Sequence, residues 1–321
     1  MELHGLHHVT AVTGRAQANV DFYTQVLGMR LVKKTVNQDD VSAYHLFYGD
    51  EVGNPGTELT FFEWPQMGPN HNGPGSIAQT ALRVPNREAL AWWAQRLDER
   101  GVKHEGLTEF HDHALINFAD PEGQRLALVD DEGAPGGTPW PKSPVPVEYG
   151  IRGLFASTLI VRQLEPTALV LTQVMGYQLA GEYPSADNPG ERTVVFALGQ
   201  GGAGKELYVV EQPNRPYGQL GIGGVHHIAF RTPNGQEQTE WMNRLHAVGL
   251  RTSGLVDRYY FQSLYFRIPG GILFEIATDG PGFATDEPAE HLGERLALPP
   301  FLEPRRAQIE AGLKPVDINR S

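Results

Sequence analysis

Two consecutive histidine pairs stand far apart in this chain: His7-His8 in LHHVT and His226-His227 in VHHIAF. Each lies in a short apolar stretch with β-branched residues. A third such stretch, GGILFEIAT, carries one acidic residue, Glu275. Two imidazoles and one carboxylate form the ligand set of a mononuclear metal site that keeps open coordination positions, as in oxygenases. A lone buried histidine is more often a hydrogen-bonded core residue, and Glu275 by itself could pair with a cation or turn to solvent. Their joint placement argues for the metal, because a buried, unpaired carboxylate is costly unless a cation compensates it. Residues alternate faces along a strand, so one histidine of each pair is expected to face in and its neighbour out. Each pair then supplies one ligand.

These residues must be brought together by elements that the chain repeats. Offset by 148 residues, NVDFYTQVLGMRL falls on PTALVLTQVMGYQL, with Gly28 on Gly176. In the same register Gly56 falls on Gly204, Pro85-Asn86 on Pro233-Asn234 and Gly101 on Gly249. A duplicated half explains this register. Each half divides again, giving units near 1–66, 75–132, 150–213 and 222–279, each reading as strand, helix and about three strands. In the second unit IAQTALRV reads as a strand. Asn86 then caps a helix whose Leu90, Trp93 and Leu97 recur at helical spacing. In the fourth, VHHIAFRT is a strand and the next helix sets Trp241, Leu245 and Val248 on one face. YFQSLYFRI and GILFEIAT alternate as strands. The expected fold is α+β, with four βαβββ modules in two tandem halves forming cupped mixed β-sheets. The halves span 1–132 and 150–279. A Pro/Gly-rich linker covers 133–149, and a C-terminal arm with a short helix covers 280–321.

The repeat also restricts the site. His8 corresponds to Ala156, His227 to Gln79 and Glu275 to Ala127. The first and fourth modules carry the ligand types, and the middle two carry inert counterparts. One site therefore requires modules 1 and 4 to face each other, with modules 2 and 3 pairing separately.

Composition sets the outer limits. The 321 residues carry 26 Lys+Arg against 38 Asp+Glu, a net charge of −12, without a basic cluster. Nucleic acid and anionic membrane surfaces are poor partners for such a chain. No apolar run approaches the roughly 20 residues that span a bilayer, and the N-terminus does not read as a signal peptide. A cytoplasmic location is expected. The absence of cysteine excludes disulfides, thiolate metal sites and a Cys nucleophile. The stretch GQGGAGKE at 199–206 matches a phosphate-binding glycine pattern, but β-rich KELYVVEQ follows where a helix is required. The repeat maps it onto a hairpin loop.

LHHVT, VHHIAF and GILFEIAT resemble the metal-binding strands of the vicinal oxygen chelate superfamily, which includes glyoxalase I, bleomycin-resistance proteins and extradiol dioxygenases. The whole chain, including the LALPPFLE tail, is most similar to hydroquinone-type ring-cleaving dioxygenases. The resemblance implies that His8, His227 and Glu275 are the ligands. It implies Fe(II) as the metal, with Mn(II) as an alternative. It also places His7, Thr10, His226, Arg258 and Tyr265 around the metal, the last two on central strands of the fourth module. Tyr265 would bond a substrate oxygen, and Arg258 would steady anionic charge. The isomerases of the superfamily use a second carboxylate, and the matching position here is Thr60. The implied function is a non-haem Fe(II) dioxygenase acting on hydroquinone- or catechol-like rings with O2. Its partners would be a small aromatic substrate and, for assembly, further copies of the chain. The alternatives are a glyoxalase-type isomerase or thiol transferase, and a binding protein that sequesters an aromatic compound without turnover.

Overall fold

The computed structural model describes residues 1–185, 188 and 190–318. Its first module runs β1 (Leu6–Thr13), α1 (Ala16–Asp21), β2 (Arg30–Val36), β3 (Tyr44–Gly49) and β4 (Glu58–Glu63). The second runs β5 (Ser76–Val84), α2 (Arg87–Glu99), β6 (His104–Phe110), β7 (His113–Ala119) and β8 (Arg125–Asp130). The third follows with β9 (Gly153–Val161), α3 (Leu164–Leu169), β10 (Gln178–Pro184), β11 (Arg192–Ala197) and β12 (Glu206–Glu211). The fourth comprises β13 (Val225–Thr232), α4 (Gly235–Ala247), β14 (Thr252–Asp257), β15 (Gln262–Arg267) and β16 (Leu273–Thr278).

Local chemistry sets the helices. Asn86 and Asn234 each accept a bond from the third residue on, at Ala89 and Glu237, which satisfies a helix-end N–H. Leu90, Trp93 and Leu97 are buried on α2, and Trp241 and Leu245 on α4. Val248 departs from expectation. The helix ends one residue before it, and its side chain is 54% exposed, because Gly249 turns the chain out at φ 80°.

The modules pair as the repeat requires. Strand β1 lies antiparallel to β13, and β5 antiparallel to β9. Each pair is extended on both sides, giving one cup in the order β2-β3-β4-β1-β13-β16-β15-β14 and a second in the order β10-β11-β12-β9-β5-β8-β7-β6. Val225 opposite Ile77 joins the two. The outer faces of the sheets pack on the helices to form the main apolar core.

The central strands are not regular. Leu6 and His8 oppose the consecutive residues Phe230 and Ala229, while Thr10 and Ala11 oppose His227 and Val225. One extra residue is therefore inserted at His7 and another at His226. Such β-bulges bend a strand and re-aim its side chains. The second cup keeps both bulges, at Ala78 and Phe155.

The connecting segments pack on the body. Ser143 Oγ in the linker donates to the Gly28 carbonyl at 2.7 Å. After β16, Lys33 of β2 is buried against Asp286, at 2.7 Å, and Glu287. Helix α5 (Arg306–Gly312) sets Ile309 against Val36, Leu298 and Leu302. The glycine-rich stretch forms the loop between β11 and β12. Gly204 O accepts from Leu6 N at 2.7 Å. Gly5, at φ 107°, faces this carbonyl so closely that a Cβ would lie 2.6 Å from it. No helix of the described residues is long and apolar enough to cross a membrane.

Candidate metal centre

The first cup gathers three donor atoms from three neighbouring strands. His8 Nε2 lies 3.3 Å from His227 Nε2 and 3.3 Å from Glu275 Oε2, and His227 Nε2 lies 2.9 Å from the same oxygen. Strand pairing produces this triangle: Thr10 opposes His227 across β1 and β13, and Ala229 opposes Glu275 across β13 and β16. All three residues are buried. Metal bonds of about 2.1 Å at right angles set neighbouring donors about 3 Å apart, which is the spacing found. Neither Glu275 oxygen has a partner of hydrogen-bond geometry, although His227 is close enough. A buried carboxylate with such proximity but no aligned donor fits a shared cation better than a hydrogen-bonded pair.

The outer histidines explain how the inner rings are held. His8 Nδ1 lies 3.0 Å from His7 Nδ1, and His227 Nδ1 lies 2.7 Å from His226 Nδ1. His7 Nε2 faces the Thr278 carbonyl at 3.1 Å. A carbonyl only accepts, so His7 carries its proton on Nε2, and its Nδ1 accepts from His8 Nδ1–H. The His8 Nε2 lone pair is thereby aimed at the triangle. His226 can fix His227 in the same way. A neutral His7 is consistent with this, since burial and then His8 lower its pKa to about 3. His226 is likewise pushed to about 3, by burial and then His227. The expectation that His7 and His226, the neighbours of the ligands, turn outward is therefore corrected. His7 is buried, and both rings hydrogen-bond their neighbours, because each pair spans a bulge where alternation fails.

Burial alone would raise the Glu275 pKa, but positive charge at the facing imidazoles of His8 and His227 overrides it and holds the carboxyl well below its ordinary range, the role a cation takes when the Nε2 lone pairs point inward. Burial lowers His227 against the pull of Glu275. A metal at the triangle would compete with any proton shared there. A second grouping, His7, His8 and Glu58, also lies within reach of one point. It fits a cation less well. The two Nδ1 atoms are engaged with each other, and burial followed by Asp50 raises Glu58 well above the carboxylate range.

The other expected residues are distributed unevenly. Tyr265 opposes Glu275 in the β15–β16 register, and its ring lies 5.7 Å from that of His227. Arg258 is not on a central strand but follows β14. It binds Asp39 at 2.8 Å, covers the Tyr265 ring at 5.5 Å and receives Gln38 at its carbonyl. Thr10 reaches the centre indirectly. Its Oγ1 meets Thr60 Oγ1 at 2.8 Å, and Thr60 meets His45 Nε2 at 3.0 Å. His45, absent from the sequence expectations, lines the cleft beside His8 and His227. Burial, then His8 and His227, lower its pKa well below the usual histidine value. Its alternating place in YHLFYG of module 1, a module already bearing a ligand pair, was the available signal. The cleft over the triangle measures about 40 Å³. Benzene occupies an apolar cavity of roughly 150 Å³, so an aromatic ring enters only if lining side chains such as Phe261, Asp39 or Arg258 move.

Comparison with known proteins identifies the family. The family described as Glyoxalase/Bleomycin resistance protein/Dioxygenase superfamily matches residues 5–128 and 154–276. The chain is 48% identical over 318 residues to "Putative ring-cleaving dioxygenase MhqA" of Bacillus subtilis, covering 98% of this chain and all of that one. It is 34% identical over 305 residues to chlorohydroquinone/hydroquinone 1,2-dioxygenase of Sphingobium indicum, covering 93% and 92%. A solved Bacillus subtilis structure described as a putative dioxygenase superposes with TM-score 0.90 at 39% identity, covering 99% of each chain.

Proposed function

This chain belongs to the Glyoxalase/Bleomycin resistance protein/Dioxygenase superfamily, and from that premise we propose that it is a ring-cleaving dioxygenase. Its substrate is a hydroquinone- or catechol-like ring, and its metal is Fe(II) held by His8, His227 and Glu275. The observation that carries the reading is the triangle of two imidazole nitrogens and a carboxylate oxygen lacking an aligned donor. The relatives named as ring-cleaving and hydroquinone dioxygenases support the substrate class. Thr60, bonded to Thr10 and His45, offers no second carboxylate, which disfavours the isomerase alternative.

Bound Fe(II) would supply open positions at which a phenolate and dioxygen are brought together. The surrounding residues divide the remaining work. His7 and His226 keep the protons of His8 and His227 on Nδ1, away from the metal side. His45, kept neutral by burial and anchored through Thr60, accepts the proton of the incoming hydroxyl. Tyr265, whose hydroxyl is kept protonated by burial and then by Glu275, donates to an oxygen of the substrate. Arg258 balances anionic charge from behind Tyr265. Phe261, against His7 and His8 at 5.2 Å each, excludes water.

Reconstitution with Fe(II) without oxygen, then oxygen uptake on hydroquinone, methylhydroquinone and catechol, tests the proposal. Uptake with at least one ring is expected. Bound iron with no uptake on any of them overturns it.

A further inference from the structure

The second cup, formed by modules 2 and 3, is the larger cavity of the two. It encloses about 340 Å³, against about 40 Å³ over the histidine triangle. The repeat explains the difference. Where the first cup carries His45, Phe62 and Tyr265, the second carries the smaller Thr193, Val210 and Asn117. Gln79, Ala156 and Ala127 stand at the ligand positions, so this cup holds no metal triad. We propose that it is a metal-free binding site for a small neutral phenol, distinct from the catalytic cup.

The chemistry of the lining selects that ligand. A volume near 300 Å³ is at the small end of ligand sites. Ala81, Ala127, Val129 and Leu115 supply an apolar surface, and Phe110 and Tyr208 meet edge to face at 5.3 Å beside it. A flat ring packs well on such surfaces. Polar side chains share the lining, Gln79, Asn117, Thr158, Thr193 and Gln212 among them. Gln79 Nε2 donates to Asn117 Oδ1 at 2.9 Å and to the Leu126 carbonyl at 3.4 Å, and Asn117 Nδ2 donates to Glu105 at 3.0 Å. With both amide hydrogens of Gln79 engaged, its Oε1 is left to accept from a hydroxyl. His113 Nδ1, on a ring packed 4.7 Å from Phe155, is buried without a partner. Glu105 and Glu109 outnumber Arg125 on the lining, which disfavours carboxylates and phosphates. The assignment stands on this cup alone and does not need the catalytic reading.

Phenol itself is the probe. The full chain is stripped of metal by chelation and titrated calorimetrically, alongside Asn117→Trp and Thr193→Phe, which fill the cup from opposite sides. Thermal melts monitor the fold of each variant. Saturable binding of phenol is expected, weakened at least tenfold by a folded filling variant, with oxygen-consuming turnover by the iron-loaded variants retained. Absence of saturable binding, or equal affinity in the folded filling variants, overturns the proposal. Because turnover is read separately, its absence in the parent chain would count against the catalytic reading and leave the binding result standing, whereas its loss in the folded filling variants alone would overturn the separateness of the two cups.

Discussion

His226 Nδ1 lies 2.7 Å from His227 Nδ1, although the two residues are consecutive on one strand. Regular alternation would send the rings to opposite faces. The bulge at His226 removes that constraint, and the matching bulge at His7 does the same on β1. The second cup keeps both bulges but fills them with Ala78 and Phe155. The backbone device is thus shared by both cups, while the imidazoles that use it are confined to one.

The outer histidines therefore tune the inner ones. His226→Phe leaves His8, His227 and Glu275 in place but removes the Nδ1 partner of His227. Metal affinity should fall by about 10- to 100-fold. Competition with a fluorescent chelator measures it. Unchanged affinity would show that His226 is packing only.

Glu275→Gln preserves shape and removes the charge that faces both imidazoles. Stoichiometric metal should be lost in the purified variant, and oxygen uptake with it, while the far-ultraviolet circular dichroism stays that of the parent. Full metal content in the variant would exclude Glu275 as a ligand.

His45→Gln tests proton transfer separately from metal binding. Iron content should persist and kcat should fall by about 100-fold or more, with a smaller change in KM. Parent-like kcat would remove His45 from the reaction.

His45 also makes a stability prediction. Its pKa is lowered on folding, by burial first. The unfolded chain then binds this proton at a higher pH than the folded chain does. Below about pH 6.5 the unfolded state holds more protons, so stability falls as pH falls until folded His45 itself protonates. One such group contributes a slope of about 1.4 kcal/mol per pH unit. Denaturant unfolding of metal-free protein from pH 7.5 to 5 should show a shallower slope in His45→Gln. Parallel slopes would contradict the assignment.

Lys33→Met removes the buried cation that meets Asp286 and Glu287. Glu287 is itself 3% exposed, so its carboxylate loses the main partner available at burial. The expected loss is about 3–5 kcal/mol, measured by chemical denaturation. A loss below about 1 kcal/mol would mean that the pair is not retained in solution.

Much of this molecule is legible in sequence because duplication supplies an internal control. The 148-residue register predicts the module pairing, and the strands at 77–84 and 225–232 appear within a residue of their expected bounds. Long-range packing is less legible. The bulges break the period-two rule locally, with no proline or glycine at His7 or His226 to announce them. His45 gains its place from β3 crossing to Thr60, a pairing between strands that local pattern does not specify. Arg258 falls in a turn because β14 ends at Asp257. The 40 Å³ cleft and the larger second cup arise from side chains on several strands at once, so neither is visible in any one segment.

Isotope labelling tests the central claim most directly. The iron-loaded chain is supplied with hydroquinone under ¹⁸O₂, and the product is analysed by mass spectrometry after brief reaction. The account predicts a ring-opened product that carries both labelled atoms. An unlabelled quinone, or a ring-opened product with label only from water, would contradict it.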